Sequence, residues 1–434
     1  MKKSSLPRGF WPALIIFSLM GQVAWVVENM YFNVFIYKMF NADSASISLM
    51  VAASAVSATL TTLLVGAFSD KVGKRKIFIC LGYILWGVSI LLFSLIRVDI
   101  ISSIFPYASA AAVGVSLTII MDCVMTFFGS SANDACFNAW LTDSTSEGNR
   151  GAAEGVNAMM PLMAILVVFG SFMAFDLDSA ESWSLIFTII GVVVLLIGVL
   201  GFFLIKDTCV KTEDNSHYFK NIFYGFRPSQ LRANPILYIT LAAFAVFGIS
   251  IQVFMPYLII YYEVSLGMEN YVLVMAPAII LAALFTAFYG RGYDKWGFNA
   301  SIGGSLLLLL CGYALLYFFR STAPVFAGSL LMMCGYLSGS AVFGAMLRDH
   351  TPENKAGMFQ GLRIVGQVLI PGIIGPFIGS AVLKNAETVV GNDGTVSFVP
   401  NENIFLAAAC AAFVLAAVLL AEFKILKARE PKNV

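Results

Sequence analysis

The chain has 434 residues, 59% of them hydrophobic and only 12% charged, with a formal net charge of +1. So little charge over that length excludes an ordinary water-soluble domain and offers no basic surface for nucleic acid. Of the seven cysteines, six (Cys80, Cys123, Cys136, Cys311, Cys334, Cys410) lie in apolar runs, and neither a disulfide framework nor a metal-ligand spacing is present, so no cofactor is expected.

In chain order, apolar runs fall near 10–36, 47–68, 77–96, 112–141, 152–175, 182–205, 236–262, 270–290, 299–319, 322–347, 357–383 and 403–423. Each reaches the ~20 residues a helix needs to cross a bilayer, far more than the ~10 alternating residues of a spanning strand. The first run follows a basic start, but it is too long for a signal peptide and no small-residue cleavage site ends it, so it reads as a span. Two connections are long. Residues 207–235 are polar and include Tyr218–Arg227, an aromatic and basic stretch suited to a membrane surface. Residues 384–402 contain Gly391-Asn-Asp-Gly394, a hairpin-turn signal.

The pattern predicts an all-α membrane protein of twelve transmembrane helices in two six-helix bundles, residues 1–206 and 236–434, joined by a cytoplasmic linker at 207–235. Orientation follows from Lys and Arg, which concentrate on the cytoplasmic side. With both termini inside, only Lys38, Arg97, Arg320 and Lys384 fall outside, Arg363 lies within a span, and the rest of the 26 basic residues are cytoplasmic.

Two motifs are doubled in the same order. Gly66-Ala-Phe-Ser-Asp70-Lys-Val-Gly73 returns as Gly290-Arg-Gly-Tyr-Asp294-Lys-Trp-Gly297. Asp143-Ser-Thr-Ser-Glu-Gly-Asn-Arg-Gly-Ala-Ala-Glu-Gly155 returns as Asp349-His-Thr-Pro-Glu-Asn-Lys-Ala-Gly-Met-Phe-Gln-Gly361. A repeat of this kind indicates two related halves, the build of a carrier that rocks one half against the other.

The segment Gly66-x-x-x-Asp70-Lys71-x-Gly73-Lys74-Arg75 resembles the loop signature of the major facilitator superfamily, and the likeness extends over essentially the whole chain. Within it, Asn133-Asp-Ala-Cys-Phe-Asn-Ala-Trp-Leu-Thr-Asp-Ser-Thr145 running into Arg150-Gly151, and Arg348-Asp349 running into Phe359-Gln-Gly-Leu-Arg363, resemble the glycoside–pentoside–hexuronide:cation symporters, melibiose carriers and sucrose symporters among them. That resemblance implies symport of a sugar or glycoside. One departure bears on the ion: melibiose carriers have an acidic pair for sodium on the second helix, whereas no carboxylate precedes Asp70 here.

Charges inside spans cost roughly 3 kcal/mol each and mark function. Glu28 in the first run, Asp122 and Asp134 in the fourth and Arg363 in the eleventh are the candidates. By helical rise, Glu28 lies about 27 Å and Asp122 about 28 Å from the inner ends of their spans, with Asp134 and Arg363 about 10 Å in. On the first span, Gln22, Trp25, Glu28, Asn29, Phe32 and Asn33 share an arc of about 140°. Amides, carboxylates and rings make a poor lipid face and a good sugar face. Asp122, Thr126, Asn133 and Phe137 form a stripe on the fourth, flanked by Asp134 and Asn138. The 224-residue offset sets Gln252 against Glu28, with Tyr257 and Tyr261 nearby, and Gln367 joins them from the eleventh span. Plainer roles compete, since Tyr and Trp anchor interfaces and Asn and Gln hydrogen-bond between helices.

His217 and His350 both lie outside the spans, so Glu28, Asp122 and Asp134 are the coupling candidates. Asp70 with Arg150, extended by Asp143, Glu147, Asp294, Asp349, Glu353 and Arg363, is expected to latch a gate. The chain thus reads as a monomeric secondary transporter of the cell membrane carrying a sugar or glycoside with a cation, a proton before sodium. A proton-driven exporter of amphipathic compounds and a non-transporting receptor of the same fold are the rivals; no nucleophile–base set suggests an enzyme.

Overall fold

The computed structural model describes residues 9–145, 150–207, 226–268, 270–351, 361–390 and 396–429. Twelve helices long and apolar enough to cross a membrane run as Phe10–Phe40, Ser44–Gly66, Arg75–Phe93, Ala110–Ser144, Gly155–Phe172, Ala180–Leu204, Pro235–Ser265, Val272–Gly290, Lys295–Phe318, Thr322–Asp349, Gly361–Leu383 and Asn403–Leu420. They are spans 1 to 12 below. Each overlaps one of the twelve runs expected from hydropathy.

Helix starts carry the polar caps that orphan N–H groups require. Asp43 accepts from Ser46 N at 2.8 Å ahead of span 2, and Ser109 accepts from Ala112 N ahead of span 4. Each motif copy ends on a glycine with positive φ. Gly73 has φ 68° and ψ 27° and donates its N–H to Ser69 O at 2.9 Å; Gly297 has φ 73° with an extended ψ of 176° and kinks the helix near the start of span 9. Positive φ favours glycine, which is why both copies keep one there.

The chain divides into two compact units, Met1–Phe219 with Gly391–Ser397, and Lys220–Val390 with Phe398–Val434. Spans 1–6 lie in the first and spans 7–12 in the second. In the first unit, Phe32, Phe35, Phe93, Trp183 and Phe187 pack ring to ring between spans 1, 3 and 6. Spans 3 and 6 approach backbone to backbone through Gly87 and Gly191; a Cβ on Gly87 would fall 2.7 Å from Gly191 O. In the second unit, Tyr313, Phe254 and Phe405 knit spans 7, 9 and 12.

A short helix at Val98–Ile104 and another at Pro228–Ala233 were not signalled by hydropathy. The turn Gly391–Gly394 lies outside the described residues; short strands flank it at Thr388–Val390 and Val396–Phe398, and Val399 N donates to Glu387 O at 2.7 Å. Tyr218 to Tyr224 of the linker lie outside them as well.

Candidate functional site

Among the described residues, four spans contain a π-helical turn, closed by backbone bonds from residue i+5 to residue i. Phe32 N bonds Val27 O in span 1, Asn138 N bonds Asn133 O in span 4, Leu266 N bonds Tyr261 O in span 7 and Ile370 N bonds Val365 O in span 11. Such turns insert one residue into a helix and concentrate at functional positions. Glu28 and Asn29 lie in the first, Asn133 and Asp134 in the second, Tyr261 in the third and Gln367 in the fourth.

Glu28 is 6% exposed. Ser54 of span 2 donates to its Oε1 at 2.6 Å and Thr126 of span 4 donates to the same atom at 2.9 Å. Asp122, 2% exposed, sits one helical turn from Thr126 and within electrostatic reach of Glu28. Glu28 Oε2 and Asp122 Oδ1 are both buried without a hydrogen-bond partner. Two buried carboxylates that interact electrostatically, with no basic side chain acting on either among the described residues, call for a proton or a bound cation, because a bare pair of like charges is not sustained away from water.

Closer to the motif end of the unit, Ser130 donates to Asp134 Oδ2 at 3.0 Å, and the side chains of Trp25 and Asn133 stand near that carboxylate. Trp25 packs on Trp86, ring centres 5.2 Å apart. Gln22, Trp25 and Asp134 are half-buried while Asn29 and Asn138 are exposed, so these five offer amide, carboxylate and indole groups on one helix surface each of spans 1 and 4. Asn29 Nδ2 donates to Trp25 O at 2.7 Å and Asn138 Nδ2 to Asp134 O at 3.2 Å, leaving their carbonyl oxygens to other donors.

Other expected contacts are placed differently. Phe32 and Asn33, counted onto the same arc, are wholly buried beyond the π-turn. Asn133 accepts from Tyr83 OH at 3.1 Å, and a Cβ on Gly21 would lie 2.6 Å from its Oδ1; it fastens spans 1, 3 and 4. In the second unit, Tyr257 and Tyr261 are fully buried, donating to Pro376 O and Leu316 O at 3.4 Å each. Gln252 is half-buried against Gly375 of span 11, and Gln367 is half-buried. Glu263, one residue past the expected end of span 7, is an additional carboxylate in a π-turn.

Around the doubled motifs, Arg75 is buried and its Nε meets Asp143 Oδ2 at 2.6 Å, while Nη1 donates to Ser69 Oγ at 3.0 Å. In the second unit Asp349 Oδ2 accepts from Tyr293 OH at 2.8 Å, beside a cavity of about 320 Å³ that Tyr289, Ser338 and Arg348 also line. Tyr293 occupies the motif position of Ser69. The side chains of Asp70, Arg150 and Asp294, and residues Glu147 and Glu353, lie outside the described residues. Arg363 Nε is buried without a partner among the described residues; its repeat counterpart Asn157 accepts from Ser18 Oγ at 2.5 Å. The described residues contain no group of three or more His, Cys, Asp or Glu that could hold a metal ion.

Residues 10–376 match the sequence profile of the Major Facilitator Superfamily. No curated protein matches the chain. Among solved structures, a variant of the nucleoside transporter NupG has 14% identity and a TM-score of 0.72, covering 95% of this chain and 99% of its own. A bacterial homologue of the human lysosomal transporter Spinster, inward-facing and unoccupied, has 18% identity and a TM-score of 0.70, covering 99% and 100%. A D-xylose–proton symporter has 14% identity and a TM-score of 0.69, covering 96% and 97%. At these identities the likeness is one of fold.

Proposed function

Because the chain belongs to the major facilitator superfamily, and is thus a multi-pass membrane transporter, we propose that it carries a sugar or glycoside together with a proton by alternating access. The observation that carries the coupling is the buried Glu28–Asp122 pair, with one oxygen on each carboxylate unpartnered among the described residues. One proton removes the like-charge conflict, and its loading or loss changes the electrostatics of three spans at once. The absence of an acidic residue from span 2 favours the proton over sodium.

For the substrate, Gln22, Trp25, Asn29, Asp134 and Asn138 of the first half supply hydroxyl-binding groups beside a flat ring, and Gln252 and Gln367 are the candidates of the second half. The resemblance to glycoside–pentoside–hexuronide symporters points the same way, and a D-xylose–proton symporter shares the fold. Residues 1–206 and 236–434 act as the two moving halves, in the cell membrane with both termini cytoplasmic, and the motif-end contacts of Arg75 with Asp143 and Tyr293 with Asp349 serve the gate.

Counterflow in proteoliposomes against a panel of sugars, glycosides and amphipathic drugs tests this. Sugar-dependent exchange accelerated by an imposed pH gradient is expected. Exchange of drugs alone removes the substrate class, and transport indifferent to the pH gradient removes the proton.

A further inference from the structure

Glu28 Oε1, Ser54 Oγ and Thr126 Oγ1 form a triangle. Its sides are 2.6 Å from Ser54 to Glu28, 2.9 Å from Thr126 to Glu28 and 2.9 Å between the two hydroxyls. Three short oxygen–oxygen contacts need three hydrogens, but two hydroxyls own only two. A proton carried by Glu28 supplies the third and lets each oxygen donate once and accept once. Without it, Ser54 and Thr126 both turn to the carboxylate, and the contact between them has no hydrogen.

We propose that Ser54 is the positioning residue through which the proton on Glu28 acts on span 2. With the proton present the ring closes and ties span 2 to spans 1 and 4 together. With it absent the tie between Ser54 and Thr126 opens. This rests on proton coupling at Glu28 and adds the route by which the proton moves a helix. A second hydroxyl of span 2, Ser57 Oγ, donates to Cys123 O at 2.9 Å one turn further along. That bond joins the same two spans without touching a carboxylate, which makes it the internal control.

The titratable groups facing Glu28 are Asp122, Cys123 and Asp134, all on span 4. Span 3 brings Tyr83, bonded to Asn133. Neither Ser44–Gly66 of span 2 nor Gly155–Phe172 of span 5 has an ionisable side chain, and span 6 has only Glu181, paired at its end with Arg97. At the ends of the span 2 helix stand Asp43, its cap, and Asp70 and Lys71, so a pH response of span 2 has few possible origins, and all can be substituted singly.

The experiment uses the purified full chain in lipid nanodiscs, with protons as the only ligand. Infrared pH-difference spectra follow the protonated-carboxyl bands, assigned with Glu28→Gln, Asp122→Asn and Asp134→Asn, while hydrogen–deuterium exchange follows span 2 over the same pH series. Ser54→Ala is expected to move the Glu28 midpoint by about tenfold in proton concentration, the worth of one hydrogen bond to a charged group, and to abolish the pH dependence of span 2 exchange. Thr126→Val, nearly isosteric, breaks the ring from the other side and gives the same two effects. Ser54→Thr keeps both wild-type responses. Ser57→Ala loosens span 2 at every pH but leaves the midpoint and the pH response in place. A wild-type midpoint in both Ser54→Ala and Thr126→Val, or a moved midpoint with unchanged span 2 exchange, overturns the proposal and leaves coupling at Glu28 standing. A wild-type protein in which no Glu28 band titrates removes both.

Discussion

Arg75 stands in a run of four basic residues, Lys71, Lys74, Arg75 and Lys76, that orientation alone would treat alike. Lys71 and Lys74 are exposed, whereas Arg75 is buried and bonded to Asp143 and Ser69. Sequence conveys the charge of such a run but not which member packs inward, because burial is decided by the helices that close over it. Removing one partner of a buried pair leaves the other charge stranded and costs about 3 kcal/mol or more, while an exposed lysine is worth within about 0.5 kcal/mol. Arg75→Ala should therefore lower unfolding stability in detergent markedly, Lys74→Ala hardly at all, and Arg75→Ala with Asp143→Ala less than the sum of the two. Equal effects of the Lys74 and Arg75 variants would contradict the burial argument. Glu28 was legible for a different reason: a carboxylate inside an apolar run has no cheap explanation. What the sequence hid was its hydroxyl partners, since serine and threonine are common in membrane helices and Ser54 carries no mark of its own. Glu28→Gln should retain substrate exchange at equal concentrations while losing pH-driven accumulation by at least about tenfold, since the variant keeps the hydrogen-bonding shape without the titrating proton. Equal losses in exchange and accumulation would instead assign Glu28 to substrate binding.

At the scale of the element, length and hydropathy suffice to place twelve helices, because a bilayer admits no lipid-exposed backbone with unmet hydrogen bonds. The π-turns are another matter. An i to i+5 bond depends on what presses on the helix from its neighbours, and neither Val27–Tyr31 nor Ser130–Phe137 carries proline or a distinctive composition. Counting 100° per residue across them put Phe32 and Asn33 on the open face, where the structure buries both. A π-turn is one residue inserted into an otherwise α-helical run, so its flanks stay in phase with a helix lacking that residue. Deleting Met30, in the turn, should accordingly leave a folded protein with near-wild-type thermal stability but impaired proton coupling, as the Glu28 carboxylate is re-aimed. Deleting Met20, in the regular part of span 1, should rotate everything beyond it by about 100° and prevent folding. Size-exclusion profiles and pH-jump transport of the two deletions decide the matter; two proteins damaged alike would mean that the turn has no special tolerance.

For the molecule as a whole, the doubled motifs foretold related halves, and the positive-φ glycines Gly73 and Gly297 are the physical residue of that ancestry. The mismatches are equally informative: the position that is Ser69 beside the Arg75–Asp143 ion pair in one half is Tyr293, a phenol donating to the Asp349 carboxylate, in the other. What no internal geometry fixes is the direction in which the protein sits in the membrane, and that direction decides from which side a proton reaches Glu28. Lys and Arg concentrate on one set of connections, leaving Lys38, Arg97, Arg320 and Lys384 on the other, and the proposed orientation puts the basic side in the cytoplasm. In that proposed orientation an even number of spans would put both termini inside, the Arg75–Asp143 contact at the cytoplasmic end, and Glu28 about 27 Å outward along its span. In the proposed orientation a proton entering from outside would meet Glu28 before the motif end, the order that import requires. A fluorescent protein fused after residue 434 should fold and fluoresce, and alkaline phosphatase inserted between residues 390 and 396 should be active. The reverse pattern would turn the carrier over, with the same carboxylates loading from the cytoplasm and the same sites working for export.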